Sequence, residues 1–288
     1  MVLFCNKYHH IRHKGYEAGF TLVELMITVA LSGIIMATIY NVYTAQQKAY
    51  LVQEQVVEMQ QNIRAAIDIM EREIRMAGYD STKAAGASIT LARAGQMSFT
   101  LDNNNDGDIA DLGEVIAYGF SADAGKDANR DGLPDAGGVL PLGRQLGGAG
   151  GYHAIADNIE AIGFAYAYDT DTNGLLETNA ASTEISWAIP DGAGGWIDLD
   201  ITNDGNIDIN DATPANVTGV ADVPTQPAQL QQIRAVQIWI LARAGREDRD
   251  YVDTNSYKVG ANIITPAAND HFRRRLLSVK VRCKNMGL

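Results

Sequence analysis

At 288 residues and 46% hydrophobic content, the chain is long enough for one sizeable globular domain or two small ones. Its formal charge of −12 argues against nucleic acid as a target of the domain as a whole. The only cysteines are Cys5 and Cys283, which excludes a disulfide-stapled framework.

The first predicted element follows a short basic segment. Lys7, Arg12 and Lys14 stand among His9, His10 and His13, and from Leu25 to Gln47 no charged residue occurs. Twenty-three helical residues at about 1.5 Å each are longer than the roughly 30 Å hydrocarbon core of a bilayer, so the stretch can span a membrane. The positive-inside bias places the N-terminal segment in the cytoplasm and the remainder outside. An ordinary secretory signal is cut behind its apolar region. Here the expected junction, Gly19-Phe20, lies ahead of it, so residues 1–19 read as a leader and its histidines are assigned no metal role. Glu24 is the one costly residue in the apolar helix, about 2.5–3.5 kcal/mol at mid-bilayer and less near the interface, and the cost points to a partner.

Gly19, Phe20, Thr21, Leu22, Val23 and Glu24, reading GFTLVE ahead of an apolar run, resemble the cleavage and methylation motif of type IV prepilins and of the related pseudopilins of type II secretion. IRAAIDIMEREIRMAGYD (Ile63 to Asp80) and RRRLLSVKVRCKN (Arg273 to Asn285) resemble the PilW-type minor pilins. The resemblance implies cutting after Gly19 by prepilin peptidase, N-methylation of Phe20, and assembly with other major and minor pilins through the N-terminal helix. It implies an inner-membrane precursor with a cytoplasmic N-terminus, and later a place in the pilus, at the cell surface or in the periplasm. The amine freed at Phe20, of the same or a neighbouring subunit, is the expected partner of Glu24. Removing the leader's three Lys/Arg and one Glu leaves 20 basic and 34 acidic residues, a charge of −14. Cleavage would also separate Cys5 from Cys283. The C-terminal disulfide loop frequent in the family is therefore missing, and Cys283, alternating with Val279 and Val281, reads as a small buried hydrophobe.

Beyond the apolar half, Val52, Val56, Met59, Ile63, Ile67, Met70, Ile74 and Ala77 recur at spacings of three and four, with charged residues mostly between them. This predicts an amphipathic helix packed on a sheet rather than a free coiled coil, ending at Gly78. No proline precedes Pro134, so nothing forces a kink, and Gly33 is the soft point. Strands are predicted at Ile89 to Leu91, Met97 to Leu101, Val115 to Phe120, Ile159 to Tyr168, Ile233 to Ala242 and Leu276 to Cys283. In the fourth, Ile162, Phe164, Tyr166 and Tyr168 alternate with Ala161, Gly163, Ala165 and Ala167, so one face is bulky. Arg273 to Arg275 with Lys280, Arg282 and Lys284 read as a solvated strand face rather than a phosphate site. The expected fold is α+β and pilin-like: residues 20–47 a transmembrane and filament-core half, 48–77 an amphipathic half, and 78–288 a β-rich extracytoplasmic domain with an antiparallel sheet and long Gly/Asp-rich loops.

The most chemical pattern in that domain is a repeated acidic loop. Asp102, Asn104, Asp106 and Gly107 read D-x-N-x-D-G, and Asp127, Asn129, Asp131 and Gly132 repeat it, followed by Asp135. Looser copies comprise Asp169, Asp171, Asn173, Gly174 and Glu177, and then Asp200, Thr202, Asp204, Gly205, Asp208 and Asp211. Calcium takes six to eight oxygens, and side chains at alternate positions before a turning glycine aim three at one point. The Asp200 copy is the most complete by sequence, although it ends in Asp where an EF-hand has Glu. Asp, Asn and Gly also build ordinary turns. The expectation is a structural calcium ion in at least one loop, ordering Gly-rich loops such as residues 143–151.

Catalytic signals are absent. The mature chain would keep only His153 and His271, with His153 read as a loop residue, and there is no HExxH, P-loop or post-strand GxGxxG. The expected function is a non-catalytic minor pilin that initiates or caps a type IV pilus. The alternatives are a minor pseudopilin of type II secretion, or a membrane-tethered calcium-dependent adhesin or enzyme.

Overall fold

The structure is a computed structural model that describes residues 19–121, 126–148, 151–179, 183–191, 195–212 and 227–287. The leader up to Ala18, with Cys5 and its histidines, and Ala149 and Gly150 of the Gly-rich segment lie outside the described residues.

Helix α1 spans Leu22–Ile74 and continues through Gly33. Its residues belong to two units, one reaching Leu51 and one beginning at Val52. In the first, Leu25, Ile27, Val29, Ile34 and Met36 are among many large apolar side chains left exposed. In the second, Met59, Ile63, Ala66, Ile67, Met70, Ile74 and Ala77 are buried in the core, and Val56 packs against it. The three-four spacing thus places its apolar stripe on the sheet. The α-helix ends at Ile74, a turn short of the expected stop, and turns carry the chain to Gly78, which takes φ +75° and donates its N–H to the Thr100 carbonyl at 3.0 Å.

Among the described residues, nine antiparallel strands form the main sheet. Strands β1 (Ile89–Ala92), β2 (Met97–Thr100), β3 (Val115–Gly119), β4 (Leu140–Leu146) and β5 (His153–Tyr168) follow one another as a meander. Strand β5 is the spine. One edge pairs first with β4 and then with β6 (Ala188–Pro190), which continues to β7 (Trp196–Asp198). The gap between β4 and β6 is filled by Ile162 N–H donating to the Gly132 carbonyl and Phe164 N–H donating to that of Ala94. Its other edge pairs with β8 (Ile233–Arg243), which follows the short helix α2 (Pro227–Gln232) and carries the terminal strand β11 (Arg274–Arg282). A separate hairpin joins β9 (Tyr257–Val259) to β10 (Asn262–Ile264).

All six predicted strands are present. Those not predicted lacked a run to read: β6, β7, β9 and β10 have three residues each, and β4 contains Pro141 and Gly143. The β4–β5 register shifts at Leu140/Leu142 and Leu142/Gly143, so β4 survives a proline through an irregular ladder. Gly143, read as loop, is therefore a strand residue, and His153, also read as loop, opens β5 with an exposed side chain.

The alternation in β5 becomes burial on both faces, because residues 161–167 are all buried. A Cβ on Gly163 would lie 2.7 Å from the backbone N of Gly260, so the small face accommodates the β9–β10 turn at backbone distance. Cys283 is a free, buried thiol whose pKa burial pushes up to about 12, so it packs as a hydrophobe.

Candidate functional site: N-terminal helix and acidic loops

The start of α1 explains part of the GFTLVE motif locally. Thr21 Oγ1 accepts the Glu24 N–H at 3.2 Å, while Glu24 Oε2 accepts from the Thr21 N–H and hydroxyl, both at 3.3 Å. This is a capping box, in which two donors unsatisfied at a helix start are bonded reciprocally. The signature T-x-x-E stood in the sequence, and Glu24 therefore has a partner within its own chain. Phe20 is 84% exposed immediately before it, and Gly19 has open space around its Cα. Leu22–Ile74 is the one helix among the described residues long and apolar enough to cross a membrane, and its apolar window is wholly unburied.

In the second unit the helix is clamped to the sheet by a polar triad. Glu73 accepts from Arg144 Nε at 2.8 Å and Nη2 at 2.6 Å, and from the Tyr118 hydroxyl. Burial, then the Glu73 carboxylate, pushes the Tyr118 pKa upward and keeps the phenol protonated as donor. The basic run divides as a strand requires. Arg275, Lys280 and Arg282 are exposed, whereas Arg274 is buried among Glu160 (2.5 Å), Asp270 (2.8 Å) and Asp253 (3.1 Å). Arg273 pairs with Asp248 at 2.8 Å and lies over the Tyr251 ring. His271 bonds the Tyr251 carbonyl through Nδ1 at 2.6 Å.

The four acidic loops share one conformation. Each leading carboxylate, on Asp102, Asp127, Asp169 and Asp200, is buried, and its Oδ2 accepts the N–H of the glycine five residues on. The residue three positions after it takes a left-handed φ: Asn105 at 62°, Arg130 at 57°, Thr172 at 58° and Asn203 at 61°. Gly107, Gly132, Gly174 and Gly205 are left-handed as well. In the first three loops the third residue folds back: Asn104 Oδ1 accepts the Asp106 N–H, Asn129 Oδ1 that of Asp131, and Asp171 Oδ1 that of Asn173. A later carboxylate ties the loop shut. Asp135 bonds the Ala128 N–H, Glu177 that of Thr170, and Asp211 those of Thr202 and Asp208. In the first loop the tie is Glu114, which accepts from the Asn103 and Asp111 N–H groups. Asp111 and Glu114 escaped sequence reasoning because neither falls at a side-chain ligand position of the EF-hand template.

The loops differ in their charge partners. Asp169 Oδ2 lies 3.6 Å from Arg234 Nε. The buried Lys258 ammonium donates to the Asp211 carbonyl at 2.8 Å. Asp204, Asp208 and Asp211 thus share their loop with a cation already in the chain. Burial, followed by the charge of Asp131, pushes the Asp127 carboxyl up to about 7. Among the described residues no group of three or more His, Cys, Asp or Glu is arranged to hold a metal ion.

A long N-terminal helix with an exposed apolar first half, and a second half packed on an antiparallel sheet, defines a pilin-like protein. The family model described as Type IV Pilus-assembly protein W matches residues 138–285, about half the chain, and that of the prokaryotic N-terminal methylation motif matches residues 14–40. The chain belongs to the type IV pilus-assembly protein W family. It is a minor-pilin-like protein with a prepilin methylation motif, from a family of structural rather than enzymatic proteins. Among solved structures it is similar to a type IV-like pilin from Thermus thermophilus, with 12% identity, a TM-score of 0.37, and coverage of 79% of this chain and 96% of that one. No curated protein matches it.

Proposed function

We propose that this protein is a minor pilin that initiates or caps a type IV pilus, cut after Gly19 by prepilin peptidase and methylated at Phe20. The observation that carries this reading is the exposed apolar half of α1, headed by a methylation motif. An apolar surface this extended in water marks a membrane or protein contact. It serves as a membrane anchor before assembly and as a helix-packing surface within a filament afterwards.

Glu24 fits both stages. In the uncut chain it caps α1 through Thr21. Cutting creates an amine at Phe20, and pairing with that cation, or with a neighbouring subunit's, offsets the carboxylate's desolvation in an apolar helix bundle. The folded unit stays on the outside, where it would crowd a shaft if every subunit carried it, which favours a place at the tip or in initiation.

Deleting the gene and assaying surface pili together with secreted proteins tests the role. The expected result is loss or sharp reduction of surface pili with secretion intact, restored by the parent gene. Normal piliation with failed secretion would instead assign the subunit to a type II secretion filament, and intact pili and secretion would overturn the assembly role.

A further inference from the structure

The four acidic loops share a backbone, but one differs in how its charge is balanced. Asp102 is fully buried and its Oδ1 has no hydrogen-bond partner. Because its Oδ2 accepts the Gly107 N–H at 3.2 Å across the turn, the carboxylate points into its own loop. Glu114, 2% exposed, is the second buried acid there. With Asp106, Asp108 and Asp111 the segment carries five carboxylates, and among the described residues no Lys or Arg forms an ion pair with any of them. A buried carboxylate oxygen with neither donor nor cation is costly, and such groups are normally paired or bound to metal.

The other loops answer the same need internally. Asp169 also has an unpartnered Oδ1, but Arg234 stands beside its Oδ2. The Asp200 loop has Lys258 against its closing residue. Both oxygens of Asp127 accept backbone N–H groups, from Asp131 and Gly132. The Asp102 loop alone among them combines an unpartnered buried oxygen with no basic side chain paired to it.

We propose that the loop from Asp102 to Glu114 is a calcium site, with the side-chain oxygens of Asp102, Asn104 and Asp106 as ligands and Glu114 as the positioning residue that ties its ends. Asn104 Nδ2 sits 2.8 Å from Asp106 Oδ2 and 2.7 Å from Asp111 Oδ2, a neutral donor between two carboxylates. Rotating that amide turns its oxygen toward an ion replacing the NH2 group and gives up its bond from the Asp106 N–H, a loss that coordination of the ion has to offset. A donor set of carboxylate and amide oxygens suits calcium, whose coordination is flexible, better than magnesium, which demands a near-ideal octahedron. Asn104 and Asp106 are exposed, so the ion has an entry path.

The full chain in detergent, stripped with EGTA and titrated with CaCl2 by calorimetry and thermal melting, tests this. A Kd on the order of 10⁻⁴–10⁻³ M, the range of extracellular calcium modules, is expected, with a rise in melting temperature that EGTA reverses. Asp106→Ala, at an exposed position, should melt like the parent without calcium and lose one site or at least tenfold in affinity; Asp204→Ala in the fourth loop should not. Asp102→Asn should abolish the site as well, at some cost in basal stability. The assignment is overturned if the parent shows no heat and no melting shift at about 10 mM calcium, or if Asp106→Ala binds like the parent. Loss of the site in Asp204→Ala alone would likewise overturn it.

Discussion

Arg274 and Arg275 are chemically alike neighbours with opposite fates. A strand sends successive side chains to opposite faces, so one is exposed while the other, at 1% side-chain exposure, meets Glu160, Asp253 and Asp270. The basic run was legible as a solvated face only at alternate positions, because the three acids lie 4 to 114 residues away and no local spacing announces them. Hydrogen bonding to Arg274 holds the Asp270 carboxyl below its usual range. A depressed carboxyl stabilises the fold above its unfolded pKa, and that contribution is lost as pH falls through the folded value. Arg274→Met leaves buried acids unpaired, and should lower unfolding free energy by about 3–5 kcal/mol at neutral pH in denaturant titrations of the full chain. The variant should lose less further stability than the parent on acidification below about pH 4. Glu24 shows the complementary case: its T-x-x-E signature is fully local, and the same carboxylate that is costly in an apolar helix caps that helix through Thr21.

At the scale of elements, the three-four spacing identified the helix and its buried face from Val56 to Ile74, while Val52 stays outside the core and Ala77 is buried just past the helix end. Strands left a readable record only where an unbroken run marked them: four-residue β1 and β2 were legible, whereas seven-residue β4, with Pro141 and Gly143, was not. The three-residue strands depend on pairing with β5 or with each other, and that tertiary support is invisible in their own residues. The four acidic loops were found by composition, yet their common φ pattern and their closing carboxylates needed coordinates. Gly163 marks how closely elements approach: a valine there would drive its Cβ to 2.7 Å from Gly260 N and 2.8 Å from the Val259 carbonyl carbon. Gly163→Val should therefore destabilise the fold by about 1–3 kcal/mol, read as a lower denaturation midpoint with α1 helicity retained.

For the molecule as a whole, one helix carries two kinds of surface, exposed and apolar before Leu51, packed into a core after Val52. The first unit has no interior of its own to bury those side chains, whereas the second encloses a core of Ile, Phe, Tyr and Trp. That asymmetry fits the methylation motif at the helix start: under the proposed function, lipid covers the apolar surface before assembly and neighbouring helices cover it afterwards. That course of events depends on processing at Gly19-Phe20. Mass spectrometry of the mature protein purified from its own cells tests it directly. The expected N-terminus is N-methylated Phe20, and a chain beginning at Met1, or cut behind the apolar helix, would contradict it.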